Sequence, residues 1–151
     1  MAVPRNRQER LDGYRSTLKK AGIDPNPAHI RFPRESWDAG VLETIALFSG
    51  SCRPTAVVSA NMELNLQVLA ELKQLGLHVP RDVSVVGFDD SPWDPLLEPA
   101  LPPVATPPQQ LGKLATHLLC EAIASGVQSP SPDVRSAPHL IIRDSATARQ
   151  P

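Results

Sequence analysis

Long apolar runs, excess positive charge, paired cysteines and aromatic residues are all scarce in this chain of 151 residues. Each shortage removes a class of protein. No stretch approaches the ~18 consecutive apolar residues of a membrane span. The opening residues, MAVPRNRQER, contain no apolar core of signal-peptide length. The expectation is a soluble, cytoplasmic protein. A formal net charge of −1 leaves no basic footprint for nucleic acid. Cys52 and Cys120 lie far apart and match no metal or redox spacing, so they read as free thiols in a reducing compartment. His29, His78, His117 and His139 are scattered without metal-ligand spacing, and His117 reads as a half-buried surface residue. No phosphate loop or serine elbow is present. No metal and no cofactor is therefore expected.

What is present looks globular, with 41% hydrophobic and 21% charged residues in a length near that of one domain. Proline is abundant at 17 residues. It gathers in 25–33, 92–108 and 130–138, which read as loops and crossovers. Of the early basic residues (Arg5, Arg7, Arg10, Arg15, Lys19, Lys20), three fall on a predicted helix beside Glu9 and Asp12, the pattern of a solvated face.

Residues 54–90 are the most informative. A short apolar run, Thr55–Ser59, leads to Asn61, which can cap a helix over Met62–Leu75. In that helix Leu64, Val68, Leu69, Leu72 and Leu75 recur at helical spacing. After Gly76, Val83–Phe88 reads as a fully buried strand because its apolar residues do not alternate. It ends in Asp89 and Asp90. This is one βαβ unit, and open parallel sheets bind ligands beyond the carboxyl ends of their strands.

Around it, the spacing predicts a helix over 7–21 carrying Leu11, Tyr14, Leu18 and Ala21 on one face, stopped by Gly22. A turn and short strand follow at His29–Phe32. Ser36 or Asp38 could cap a second helix to about Leu47, with Val41, Leu42 and Ile45 inward. The stretch 92–108 is too rich in proline for a central strand. A further helix, Gln109–Ala124, ends before Gly126, and His139–Arg143 reads as the last strand. This alternation indicates an α/β layered fold with a mainly parallel sheet and helices on both faces. The chain nevertheless opens in a helix, where a βα unit would begin with a strand.

At Arg10-Leu-Asp-Gly13 with Ala21-Gly-Ile23, Pro54-Thr-Ala56, Ser59-Ala-Asn61 and Glu71-Leu-Lys-Gln-Leu-Gly76, the chain resembles the effector-binding domain of the lactose-repressor (LacI/GalR) family of bacterial transcription regulators. The likeness continues through Val79-Pro-Arg-Asp-Val-Ser-Val-Val-Gly-Phe-Asp-Asp90, Leu111-Gly112 and Leu140-Ile-Ile-Arg-Asp-Ser145. It implies a periplasmic-binding-protein-like type I fold with two subdomains around a ligand cleft. It covers the second half of a full-length member. On that basis 1–101 and 135–146 form the core of the C-terminal subdomain, and 102–126 is a crossover and helix that would pack on an N-terminal subdomain. Neither that subdomain nor a DNA-binding helix-turn-helix is expected in these residues, consistent with a truncated gene product, a misassigned start codon or a deliberately shortened piece. Operator DNA would then be reached only through a helix-turn-helix outside this chain. The implied partners are a small polar effector such as a sugar, and a second copy in a homodimer.

The resemblance also implies binding residues. Arg10 would grip hydroxyls or a carboxyl group from the cleft edge, for which a planar guanidinium fork is suited; a plain surface arginine is the alternative. Asn61 would reach the ligand, although an ordinary helix cap explains it as well. Asp89 would accept paired hydroxyl hydrogen bonds, which a charged acceptor strengthens. Asp90, its neighbour, should point the other way and serve the next turn. Trp37 would stack on the ligand's flat face, whereas Trp93 suits a loop or dimer contact. Asn6 and Thr106 would stand at the cleft rim. The chain departs from the family at Met62, where an acidic residue is usual, at Pro102–Pro103, where a Thr-Thr crossover strand is usual, and at Thr106, where a longer polar residue is usual.

The residues bear on three functions other than regulation. A periplasmic-type sugar-binding protein has the same core but needs a signal peptide. An enzyme would need Asp89 and Asp90 to converge on one bond, and adjacent strand residues diverge. A dimerisation-only remnant would use the leucine-rich helix 62–75 and the 92–100 loop.

Overall fold

The computed structural model describes residues 5–32, 37–126 and 133–148; the side chains of Trp37 and Asp38 fall outside that description. Helix α1 spans Arg5–Lys20, α2 Trp37–Ser49, α3 Met62–Gln74 and α4 Pro108–Ser125. The strands are β1 Ala56–Val58, β2 Ser84–Phe88, β3 Pro103–Ala105 and β4 His139–Leu140. They form one sheet in the order β1-β2-β3-β4, parallel across the first three and antiparallel at the last.

The local chemistry of α3 matches its sequence. Asn61 is extended, and its Oδ1 accepts the Leu64 N–H at 2.8 Å, satisfying one of the amides a helix start leaves open. At the other end Gly76 takes a positive φ of 71°. This lets the Leu77 N–H reach back to the Leu72 carbonyl at 2.9 Å, a glycine-dependent helix stop. Gly22 and Gly126 close α1 and α4 with the same left-handed backbone.

The core lies where α2 and α3 cover one face of β2. It joins Phe48 of α2, Val68 and Leu72 of α3, Val83, Val85 and Leu101. Leu72 is 0% exposed. The inward face of α3 is Asn65, Val68 and Leu72, so Leu64 and Leu69 sit at its margin and Leu75 is exposed. In α2 the expected inward set is corrected. Gly40, Thr44 and Phe48 are buried, while Leu42 is 65% exposed. At Gly40 an added Cβ would fall 1.6 Å from the buried Gln67 Oε1 of α3, so any side chain there would require Gln67 to move. Asp38 lies inside α2 rather than capping it, and Ser36 falls outside the described residues.

Burial in β2 alternates. Val85 and Gly87 are buried against the α3 side, and Ser84, Val86 and Phe88 are half-buried on the other. That second face looks toward α1, which buries no residue of its own, and this explains the unbroken apolar run. Gly87 touches Asn65 so closely that a Cβ would meet its Nδ2 at 2.6 Å. Asn65, 0% exposed, donates from Nδ2 to the Phe88 carbonyl at 3.2 Å, and the Ser59 hydroxyl donates to its Oδ1.

Three strand expectations differ from the structure. Residues 29–32 form no strand: Pro27–His29 is a 3-10 turn capped by Asn26, whose Oδ1 takes the Ala28 N–H and turns the chain. The 92–108 stretch does supply a central strand, β3, between β2 and β4. The prolines are tolerated because their carbonyls are what the sheet needs. Pro102 accepts from the Gly87 N–H at 3.0 Å and Pro103 from the Ile141 N–H at 3.1 Å. The last strand is shorter than expected, ending at Leu140.

The chain after β2 is anchored by Asp94, 0% exposed, which accepts from the Ser91 N–H at 3.0 Å and the Ser91 hydroxyl at 2.6 Å. Arg143 closes the same region, donating to the Leu101 carbonyl at 2.8 Å and to Asp90 at 2.8 Å. Helix α4 buries no residue, and Leu119 and Ile123 are 61% and 73% exposed.

Two measurements check this packing. Gly87→Ala should lower stability by about 1–3 kcal/mol through overpacking against Asn65. Adding Asn65→Ala should relieve part of that clash, so urea melts of the double-mutant cycle should be non-additive. Leu119→Glu with Ile123→Glu should abolish binding of an apolar dye while shifting stability by less than about 0.5 kcal/mol, because both side chains are already in water.

Candidate ligand-binding crevice

The parallel strands β1, β2 and β3 finish on the same edge of the sheet, and the residue after each finish is polar. Beyond β1 come Ser59, Ala60 and Asn61; beyond β2 comes Asp89; beyond β3 comes Thr106. Three positions far apart in sequence are thereby gathered where such sheets bind ligands.

Asp89 has a backbone of its own kind. Its φ is +64°, and it is the one non-glycine residue with positive φ among those described. Aspartate tolerates this left-handed region better than most residues, but the conformation still has to be enforced by its surroundings. Two hydrogen bonds enforce it. The Asp89 N–H donates to the Val104 carbonyl at 3.1 Å, and the Thr106 hydroxyl donates to Asp89 Oδ1 at 3.3 Å. Asp89 is half-buried. Asp90, exposed, turns instead to Arg143. The two carboxylates thus have separate surroundings.

Arg10 crosses from α1 to the end of β1, where Nη1 donates to the Ala60 carbonyl. Its guanidinium carbon lies 4.2 Å from the centre of the Phe88 ring, a cation–π contact. The arginine is thus held over the last residue of β2, next to Asp89. Asn61 uses Oδ1 for its cap, so any ligand contact falls to its Nδ2 donor.

The structure brings Arg10, Asn61, Asp89 and Thr106 to one side of the sheet. Asn6 stands apart, exposed in the first turn of α1 with its Oδ1 on the Arg7 N–H at 2.8 Å. Trp37 opens α2, and its side chain lies outside the described residues. Trp93 is 38% exposed in the loop after β2. Two residues that shape the crevice carry no weight in the sequence reading. Phe88 is the platform under Arg10, and Asn65 ties the ends of β1 and β2 together. Asn65 had a signal: it sits three and seven residues before Val68 and Leu72, a polar residue on a core stripe.

The arrangement offers a carboxylate acceptor, a guanidinium donor and an amide donor around an open edge. Hydroxyl-bearing ligands suit such groups. Among the described residues no cluster of histidine, cysteine, aspartate or glutamate could hold a metal. Cys52 and Cys120 are free and exposed. No described helix is long and apolar enough to cross a membrane.

Comparison with known proteins places these features in a family. Residues 2–146 match the periplasmic binding protein-like domain. The chain is 33% identical over 141 residues to the ribose operon repressor of Haemophilus influenzae, covering 91% of this chain and 41% of that protein. It is 34% identical over 145 residues to the transcriptional regulator MalR of Streptomyces coelicolor, covering 93% and 41%. A solved complex of the transcriptional regulator CelR with cellobiose matches with a TM-score of 0.81 at 32% identity, over 91% of this chain and 42% of that one. The chain therefore spans about two fifths of the length of these relatives. On these matches the chain belongs to the periplasmic binding protein-like family, as part of an effector-binding domain of the LacI type.

Proposed function

We propose that this chain is the ligand-sensing portion of a LacI-type transcriptional regulator. It contributes one wall of a crevice for a small polar effector, a sugar, and takes part in dimerisation. The observation that carries this reading is the enforced left-handed backbone of Asp89 beside Thr106 and the stacked Arg10. In the proposed complex Asp89 accepts from adjacent hydroxyls and Arg10 donates to a ring or hydroxyl oxygen. Asn61 Nδ2 supplies a further donor, and Thr106 holds the Asp89 carboxylate in place. Trp37 and Asn6 would complete the rim.

The role is binding, without catalysis. Asp90 is paired with Arg143 and cannot share a bond with Asp89 as an acid–base partner. The curated relatives are named as repressors and regulators, and one was solved with cellobiose. The exposed apolar side of α4 supports residues 102–126 as a crossover and helix built to lie against a second subdomain. Operator DNA is contacted, on this reading, by a segment beyond these residues.

Calorimetric titration with a panel of mono- and disaccharides tests the proposal. The 151-residue chain should bind its preferred sugar with Kd near ~1 mM, about 4 kcal/mol, because it offers only part of an enclosing site. Asp89→Asn should weaken that binding roughly ten-fold or more by removing a charged acceptor. Micromolar affinity for the chain alone would overturn the single-wall claim. Binding unaffected by Asp89→Asn would overturn the site.

A further inference from the structure

Among the described residues the sheet order leaves one side of β1 without a strand partner, and a cavity lies there. In the β1–β2 ladder the Ser84 N–H donates to the Thr55 carbonyl and the Ser59 N–H to the Val86 carbonyl, each at 3.0 Å. In a parallel pair this register directs both backbone groups of Val57 toward β2. The amides and carbonyls of Ala56 and Val58 then point the other way, into a cavity of about 520 Å³. Leu11 and Tyr14 of α1 cover the cavity on one face of the sheet, and Leu47 of α2 lines it on the other. Residues 30–32 form the far wall, with Ile30 in extended conformation.

The repeat of these backbone groups decides the occupant. Donors and acceptors two residues apart on a strand recur at roughly 6.6 Å, a spacing matched by another extended backbone. Apolar side chains on both faces call for an uninterrupted apolar run, as in strands covered on two sides. Charge fixes the direction. Arg7 and Arg10 line the cavity, and Arg10 is hydrogen-bonded to Ala60 at the carboxyl end of β1. A strand parallel to β1 brings its own carboxyl end to these arginines.

We propose that this slot is a strand-acceptor site that takes the extended, apolar C-terminal tail of a partner polypeptide, laid parallel to β1 with its carboxylate at Arg7 and Arg10. The slot meets the Asp89 crevice at Arg10, Asn61 and Phe88, while Asp89 and Thr106 do not line it.

The probe is a synthetic peptide with a lysine–serine head for solubility, a valine–isoleucine run and a free C-terminal carboxylate. Added to the full chain and followed by amide hydrogen exchange, it should slow exchange at Ala56 and Val58 by roughly ten-fold or more and leave Val57 unchanged. The same peptide N-methylated at alternate amides should not bind, and the C-terminally amidated form should bind more weakly. Ala56→Pro removes one donor of the open edge without touching the β1–β2 bonds, and should abolish binding while Val57 keeps its protection. Absence of slowing at Ala56 and Val58 overturns the proposal, as does equal binding of the N-methylated or the amidated peptide. Protection of both amides in the chain alone, with dimerisation by light scattering, overturns it in favour of a second copy. If Ala56→Pro fails to fold, the N-methylated peptide still decides.

Discussion

The contact between Asn65 and Gly87 holds the binding edge together. A carboxamide from α3 lies directly beneath a glycine of β2, closer than any side chain at that position would allow. From there it takes the Ser59 hydroxyl on one side and gives its Nδ2 proton to the Phe88 carbonyl on the other. The finishes of β1 and β2 are therefore fixed to one another through one buried side chain. Each bond adds only about 1 kcal/mol net, but leaving a buried partner unmade costs about 1–3 kcal/mol. That asymmetry makes the arrangement hard to loosen in part.

Asp89 follows from it. Once the Phe88 carbonyl is held by Asn65 and its ring lies under Arg10, the next residue has little freedom. The chain turns through a left-handed conformation there, and the neighbouring carboxylate of Asp90 is carried to Arg143. Two adjacent acidic residues with the same chemistry thus acquire different surroundings: one stands half-buried at the strand end beside Thr106, the other fastens the chain through Arg143.

Much of this was legible in the sequence. The cap at Asn61, the glycine stops, the helix spans and the place of Asp89 follow from local chemistry, and local chemistry is what a sequence displays. The inward face of α2 was not legible, because helical spacing of Val41, Leu42 and Ile45 gives no warning that Gly40 must pass close to Gln67. Nor was β3. Proline is disfavoured in a central strand for its missing N–H, and only the register shows that Pro102 and Pro103 serve through their carbonyls. The Arg10–Phe88 contact joins residues on α1 and β2 that are far apart in the chain, and pairings of that range leave no local trace.

The prolines of β3 also bear on how movement would travel. The chain leaves the sheet after Ala105, runs out through α4 and returns at β4, where Val104 and Leu140 are neighbours. Arg143 clamps the return to the Leu101 carbonyl beside the point of departure. Both feet of the excursion therefore stand on one spot, like a crank handle seated in a single bearing. Thr106 is the first joint of that handle, and its hydroxyl rests on the Asp89 carboxylate. A turning of α4 would pass through Thr106 to Asp89 before reaching the rest of the sheet edge.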